Sequence, residues 1–319
     1  MKAKLSRRNF IKTGALWLPG AAVVSAQDVV PYRHKSGGGI SISAKTLDWA
    51  TRVQTNGDPY PSMPMLIAVD AWYNGIVSDG LDSDIYDCTF MAPGPTRITP
   101  LTPFYRTYGT DPWTYVGGTV TTPVDQRGIA TTGSVTCINS GVTPSQVVTG
   151  TSFGLSMYSG IANPSGGSPP DFQAGGGGGG HHAYIYSTTI SAYTDFQLNW
   201  DNTKWGNNPF GVALYGFLSV NRTGANQLDA YGANSVLSWT SLASSASAAA
   251  GTLPSGGKMQ FGGLNSVSGW LYAYSSSSYW TILCMHKGWS SANAQKFFNR
   301  CLTLRMSTPF GGGYYQEVI

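Results

Sequence analysis

From Trp113 onward the chain breaks into short alternating runs: WTYVGG, SFGLSMYS, HAYIYSTTI, DFQLNW, VALYGFLSV, QLDAYG, SVLSWTS, KMQFGG and YWTILCMH. Each is shorter than an average helix, and Gly, Asn, Pro and Ser separate them at hairpin-like intervals. Alternation sends residues i and i+2 to one face of a strand, so such runs must pair and bury that face against another layer. The composition agrees. Only 11% of residues are charged, 13% are aromatic and 41 of 319 are glycine. Disordered chains carry more charge and fewer aromatics, so this is a folding sequence whose polarity comes from hydroxyls and amides. About 290 residues beyond the N-terminal segment suffice for one large β domain or two smaller ones.

Three helical signals frame the strands. Residues 47–57 (LDWATRVQTNG) read as a short amphipathic turn closed by Asn56-Gly57. In residues 62–81, Leu66, Val69, Tyr73, Ile76 and Val77 fall at helical spacing, with Pro64 near the start and Gly80 past the end. Near the C-terminus, Ser290 or Ser291 can cap a helix whose apolar face is Ala294, Phe297, Phe298, Cys301 and Leu302. Residues 27–45 read as a linker or a first strand.

The N-terminus carries an address. Ser6-Arg7-Arg8-Asn9-Phe10-Ile11-Lys12 fits the twin-arginine export pattern. The apolar stretch after it is interrupted by Pro19-Gly20 and is shorter than the roughly 20 residues a membrane span needs. Val24-Ser25-Ala26 offers a cleavage site after Ala26. Residues 1–26 are therefore expected to be removed after passage through the twin-arginine translocase, leaving a periplasmic or extracellular protein without membrane insertion. Export in folded form suits a β-rich domain that must not cross the membrane unfolded.

Cleavage also alters the charge. Five of the 19 basic residues lie in the signal, so 14 remain against 15 acidic ones and the net charge falls from +4 to −1. Nothing is left to attract nucleic acid, which is excluded as a partner. Cys88, Cys137, Cys284 and Cys301 resemble no metal knuckle. An oxidising compartment permits disulfides in any of three pairings, and four buried thiols fit equally well.

The order of elements from 46 to about 310 is familiar. VNRTGANQLDAYGANSVLSWTS looks like a strand pair around an Arg-Thr turn, followed by GKMQFGGLN and by YWTILCMHKGWSSANAQKFF, a strand leading into a serine-capped helix. This series, with CTFMAPGPTRITPLTPF before it, resembles the concanavalin A-like (LamG-type) jelly-roll superfamily. The resemblance implies an antiparallel jelly-roll β-sandwich, mainly β, with short N-terminal helices and one C-terminal helix. It divides the chain into a helical lead-in at 46–110 and the sandwich at 111–319.

Candidate chemistry is sparse. Glycosidases of that superfamily work with paired carboxylates, usually glutamates on one strand, and this chain has a single glutamate, Glu317. Asp195 and Asp201 only bracket a strand, and no catalytic residue is assigned. Asp79, Asp82, Asp84 and Asp87 are close enough in sequence to suggest calcium, but an EF-hand loop from Asp82 fails at Asp87 and Pro93. The solvated face of a helical turn is the stronger reading. GTSFG at 150–154 matches a nucleophile elbow only if a helix follows, and a strand is expected there. There is no dinucleotide fingerprint and no phosphate loop, so neither cofactor nor metal is expected.

Two stretches remain for ligand contact. Six glycines at 175–180 lead to His181 and His182, and the glycine run reads as a mobile loop tip. Residues 199–208 (NWDNTKWGNN) offer Trp200 and Trp205 as flat faces for sugar C–H groups. Asp201, Asn202, Asn207 and Asn208 are there for hydroxyls. The expectation is a non-catalytic lectin-like domain that binds a polysaccharide or surface glycan. The alternatives are a structural or adhesive surface protein that binds other proteins and, third, a polysaccharide-degrading enzyme.

Overall fold

The computed structural model describes residues 40–90, 92–96, 98–116, 129–130, 137–147, 151–159, 172–178, 181–188, 193–200, 204–205, 216–233, 239–246, 258–261, 263–266, 271–273 and 279–310. The N-terminal segment read as a twin-arginine signal lies outside them. Two helices come first, α1 (Ala44–Thr55) and α2 (Met63–Ser78). A 3-10 turn at Asp82–Asp84 leads into β1 (Ile85–Thr89), α3 (Ile98–Leu101) and β2 (Tyr105–Arg106). Then come β3 (Thr114–Val116), β4 (Ile129–Ala130), β5 (Cys137–Asn139) and α4 (Pro144–Val147). The longer strands follow: β6 (Phe153–Ser159), β7 (Phe172–Gly178), β8 (His181–Thr188), β9 (Tyr193–Trp200) and the short β10 (Lys204–Trp205). The second run is β11 (Gly216–Arg222), β12 (Leu228–Ala233), β13 (Trp239–Ser245), β14 (Gln260–Phe261), β15 (Gly263–Ser266) and β16 (Leu271–Ala273). The last strand is β17 (Tyr279–His286), and α5 (Ser291–Met306) closes the fold.

The strands form two sheets. In the first the order is β13-β12-β11-β6-β17-β1-β2, with β4 also on β17; in the second it is β10-β9-β8-β7-β14-β5-β3, with β15 and β16 attached. Pairing is antiparallel except between β15 and β7. This is a β-sandwich with short helices, the class the alternating runs predict.

Alternation in the first sheet explains its two cores. Phe153, Leu155 and Met157 of β6, Leu218 and Val220 of β11, and Leu283 and Met285 of β17 pack with Ile138 and Phe261 of the second sheet. The intervening residues Tyr158, Phe217, Ile282 and Cys284 turn to the other face and pack with Trp49 and Val53 of α1, Leu66, Val69 and Trp72 of α2, and Phe297 and Phe298 of α5. The first sheet is thus buried on both faces, by a sheet on one side and helices on the other. Each large side chain removed from water there contributes about 1.5–3 kcal/mol.

The lead-in is built into this arrangement. β1 pairs with β17 and β2 with β1, so residues 46–110 supply the edge of the first sheet, and Ile42–Ile319 is one compact unit. Ser43 caps α1 through its hydroxyl, and buried Asp70 of α2 accepts from Ser43 N (2.8 Å), Thr46 Oγ1 (2.9 Å) and Asn74 Nδ2 (2.9 Å). That carboxylate joins the two helices. Residues 44–45, read as linker or strand, are the first turn of α1 instead, because Ser43 supplies the cap.

Two further expectations are corrected. The buried face of α2 includes Trp72 and Gly75, while Tyr73 is half-buried and Val77 exposed. Trp72 meets Phe104 edge-on with ring centroids 5.3 Å apart, and Arg300 of α5 lies across Gly75. Packing against both β1–β2 and α5 turns the helix away from the face that spacing alone suggests. The glycine run is the second correction. Gly175, Gly176, Gly177 and Gly178 belong to β7 and pair with β8, so only two of the six glycines lie between these strands. Ladder pairing on both sides of β7 holds them in place of side-chain packing.

Candidate functional site

The candidate residues are divided by the register of the second sheet. His181 and His182 open β8, with Gly178 opposite His181, a two-residue hairpin connection. His182 faces Trp200, the last residue of β9, and the register shifts between His182 and Ala183. The β7–β8 tip and the end of β9 therefore share one end of the sheet. Trp205 is elsewhere: it pairs with Thr194 and Lys204 with Asp195, at the opposite end of β9. Thr194, which faces Trp205, and Trp200 stand six positions apart along β9. Trp200 thus faces β8 at its start, while Trp205 pairs with the other end of β9. Asp201, Asn202, Asn207 and Asn208 lie outside the described residues.

The acidic stretch resolves into four separate roles. Asp79, at the end of α2, accepts from Arg300 Nε (2.7 Å) and Nη2 (2.9 Å), and this hydrogen bonding holds its carboxyl below the usual range. Asp82 accepts from Tyr105 Oη (2.8 Å). Asp84 accepts from Lys287 Nζ (2.9 Å) and Trp289 Nε1 (3.3 Å). Asp87 is fully buried in β1, where it accepts from the backbone N–H of Tyr108 (3.0 Å) and Gly109 (2.9 Å). Burial pushes its carboxyl up to about 6, against the pull of those amides. These aspartates fasten α5, β2, the 287–289 segment and the 107–109 loop, so the solvated-face reading holds for none beyond the 3-10 turn. Among the described residues, no three His, Cys, Asp or Glu side chains converge where a metal ion could sit.

One polar cluster escapes motif reading. On the helix-facing side of the first sheet, Ser156 Oγ lies 2.7 Å from both Ser219 Oγ and His286 Nε2, and Asn221 Nδ2 donates to Ser219 Oγ (2.9 Å). His286 Nδ1 is 2.6 Å from the carbonyl of Lys287, and Trp289 N donates to Asn221 Oδ1 (2.9 Å). One proton arrangement satisfies all of them. Asn221 donates to Ser219, Ser219 to Ser156, Ser156 to His286 Nε2, and His286 Nδ1–H to the carbonyl. The imidazole is then neutral, and burial drives its pKa down to about 3. All four side chains are inaccessible, so this Ser–His contact is a structural network rather than a nucleophile and base. The sequence signal was there: adjacent strands β6, β11 and β17 each place polar residues on one parity.

Ser152 of GTSFG precedes a strand, as expected, and its hydroxyl accepts from Gly288 N (3.0 Å). Cys88, Cys284 and Cys301 are buried free thiols in the helix-side core. Among the described residues no helix is long and apolar enough to cross a membrane.

No protein-family model and no curated protein matches this chain. Among solved structures it is similar to a GH54 a-l-arabinofuranosidase soaked with 4-nitrophenyl a-l-arabinofuranoside, with TM-score 0.41, 14% identity, and coverage of 56% of this chain and 41% of that one. It is also similar to a Trypanosoma rangeli sialidase in complex with sialic acid, with TM-score 0.43, 12% identity, and coverage of 68% and 33%. The chain spans less than half of either, and likeness at this level assigns no activity.

Proposed function

We propose that this chain is an exported, non-catalytic, lectin-like β-sandwich of concanavalin A-like type that binds a polysaccharide or surface glycan. Its binding end is the one where β8 begins and β9 finishes. The observation that carries this reading is the facing register of His182 and Trp200 beside a two-residue hairpin tip. An aromatic ring, two imidazoles, and the carboxylate of Asp201 and amide of Asn202 that follow in sequence are the side-chain types that hold sugars. Rings cover C–H faces, and polar groups bond hydroxyls. A sheet end is also a rigid support for loops that carry binding.

A glycan array probed with the purified protein tests the proposal. Saturable binding to a defined set of glycans that is lost in a Trp200→Ala variant of unchanged melting temperature supports it. Release of reducing sugar from a bound polysaccharide would replace it with the degradative reading. Silence on the array together with saturable binding to envelope protein would replace it with the adhesive one.

A further inference from the structure

Cys88 and Cys284 come from opposite ends of the chain and meet as a pair. Cys88 lies in β1 and Cys284 in β17, directly opposite each other in the antiparallel register. Facing Cα atoms in such a ladder are about 4.5 or 5.5 Å apart, depending on the hydrogen-bonding position. Both separations fall within the roughly 4.4–6.8 Å that a disulfide spans. Both side chains are wholly buried on the helix-facing side, in one core cluster. The other cysteines are placed differently: Cys301 sits on α5 and Cys137 in the second sheet. Of the three pairings that four cysteines allow, the ladder favours the one that joins Cys88 to Cys284.

We infer that Cys88 and Cys284 are the site of a cross-strand disulfide, formed while the chain folds in the presence of a small organic disulfide. The thiolate of one cysteine attacks the oxidant RSSR and expels RS⁻, leaving a mixed disulfide on the protein. The thiolate of the other then attacks the protein-bound sulfur, closes the Cys88–Cys284 bond and expels the second RS⁻. Two electrons pass to the oxidant, and the two cysteine protons end on two RSH molecules. Timing is set by burial. Once the core has closed, neither thiol is exposed, and burial raises the Cys284 thiol well above its usual range. Exchange therefore belongs to the folding chain or to openings of β1. The bond fastens the helical lead-in to the central strands of the first sheet, which β1 reaches only through β17.

The experiment uses the full chain. It is reduced and unfolded, refolded in a mixture of oxidised and reduced glutathione, quenched with acid, and alkylated in denaturant before and after reduction. Peptide mapping should find Cys137 and Cys301 alkylated at once, and Cys88 and Cys284 only after reduction. A Cys301→Ser variant should give the same link. The oxidised form should have a folding equilibrium constant about thirtyfold or more above that of the reduced form. Four thiols alkylated before reduction, a link through Cys137 or Cys301, or an oxidised form no more stable than the reduced one would each overturn the inference.

Discussion

The imidazole of His286 lies flat on the indole of Trp289, with ring centroids 3.5 Å apart and planes 8° from parallel. The stack closes one end of the buried Asn221–Ser219–Ser156–His286 chain and fixes the plane of the ring. Removing the Ser156 hydroxyl leaves His286 Nε2 buried without its donor. Ser156→Ala should therefore cost about 1–3 kcal/mol of stability in urea melts. A cost near zero would show that the hydroxyl chain contributes nothing net.

The pH dependence of stability should arise from two opposed groups. His286 has its pKa lowered to about 3 in the fold, against an ordinary value near 6.5. Its unfolded form takes a proton first, so its contribution is lost as pH falls below about 6.5. Asp87 is raised to about 6 from an ordinary value near 3.8, so its folded form takes the proton first. Its contribution grows as pH falls through 6 towards 4. Each effect is on the order of 3 kcal/mol between pH 7 and 4, and the signs oppose. Wild-type stability should be nearly level over that range. Asp87→Asn should lose stability on acidification and His286→Gln should gain it, read from denaturant midpoints at pH 7, 5.5 and 4. Parallel slopes in the two variants would contradict these assignments.

Gly154 must remain glycine. A Cβ there would lie 2.6 Å from His286 Nδ1 and 2.8 Å from Asn221 Oδ1, and closer still to the ring carbon between its nitrogens. The ring is already held by Trp289 and Ser156, so it has nowhere to retreat. Gly154→Ala should cost about 1–3 kcal/mol or more, measured by thermal and urea melts. Gly224→Ala is the control: its Cβ would meet only the Gln227 Cβ at 3.5 Å, an ordinary contact, and the melt should barely move.

The two tryptophans should behave differently in binding. Trp200→Ala should weaken glycan binding by about 1–3 kcal/mol with the fold intact. Trp205→Ala, in β10 and paired with Thr194 near the start of β9, should leave that binding unchanged. Calorimetric titration and melts of both variants check this. Equal losses of binding would place the ligand along β9 rather than at its end. A loss of about 3–5 kcal/mol in stability for either would mark it as a core residue.

The strand pattern and the three main helices are legible in the sequence because successive apolar residues of the first sheet alternate between its two cores and the helices keep their own spacing. Ser290 caps α5 as its place before the apolar face suggests, while the Ser43 cap of α1 lies in a stretch read as linker or strand. What escaped has a physical reason in each case. β1 is hidden in an acid-rich stretch because Asp87 is buried and satisfied by backbone amides 21 and 22 residues on. β7 has glycines where a pattern would be, and its conformation is imposed by neighbouring strands. The separation of Trp200 from Trp205 depends on which part of β9 the short β10 pairs with, and five residues of sequence spacing carry no trace of that choice. The aspartates read as one solvated turn because they are close in sequence, while each finds its partner through the tertiary fold.

The pairing of β1 with β17 sets a schedule for biosynthesis. Cys88 meets a residue made 196 positions later, Cys284. At typical rates of translation, that is a wait of roughly 10–40 s. Through that interval α1, α2 and β1 emerge with their apolar faces uncovered, because the sheet and the α5 helix that shelter them do not yet exist. The first sheet can therefore close only after translation is nearly complete.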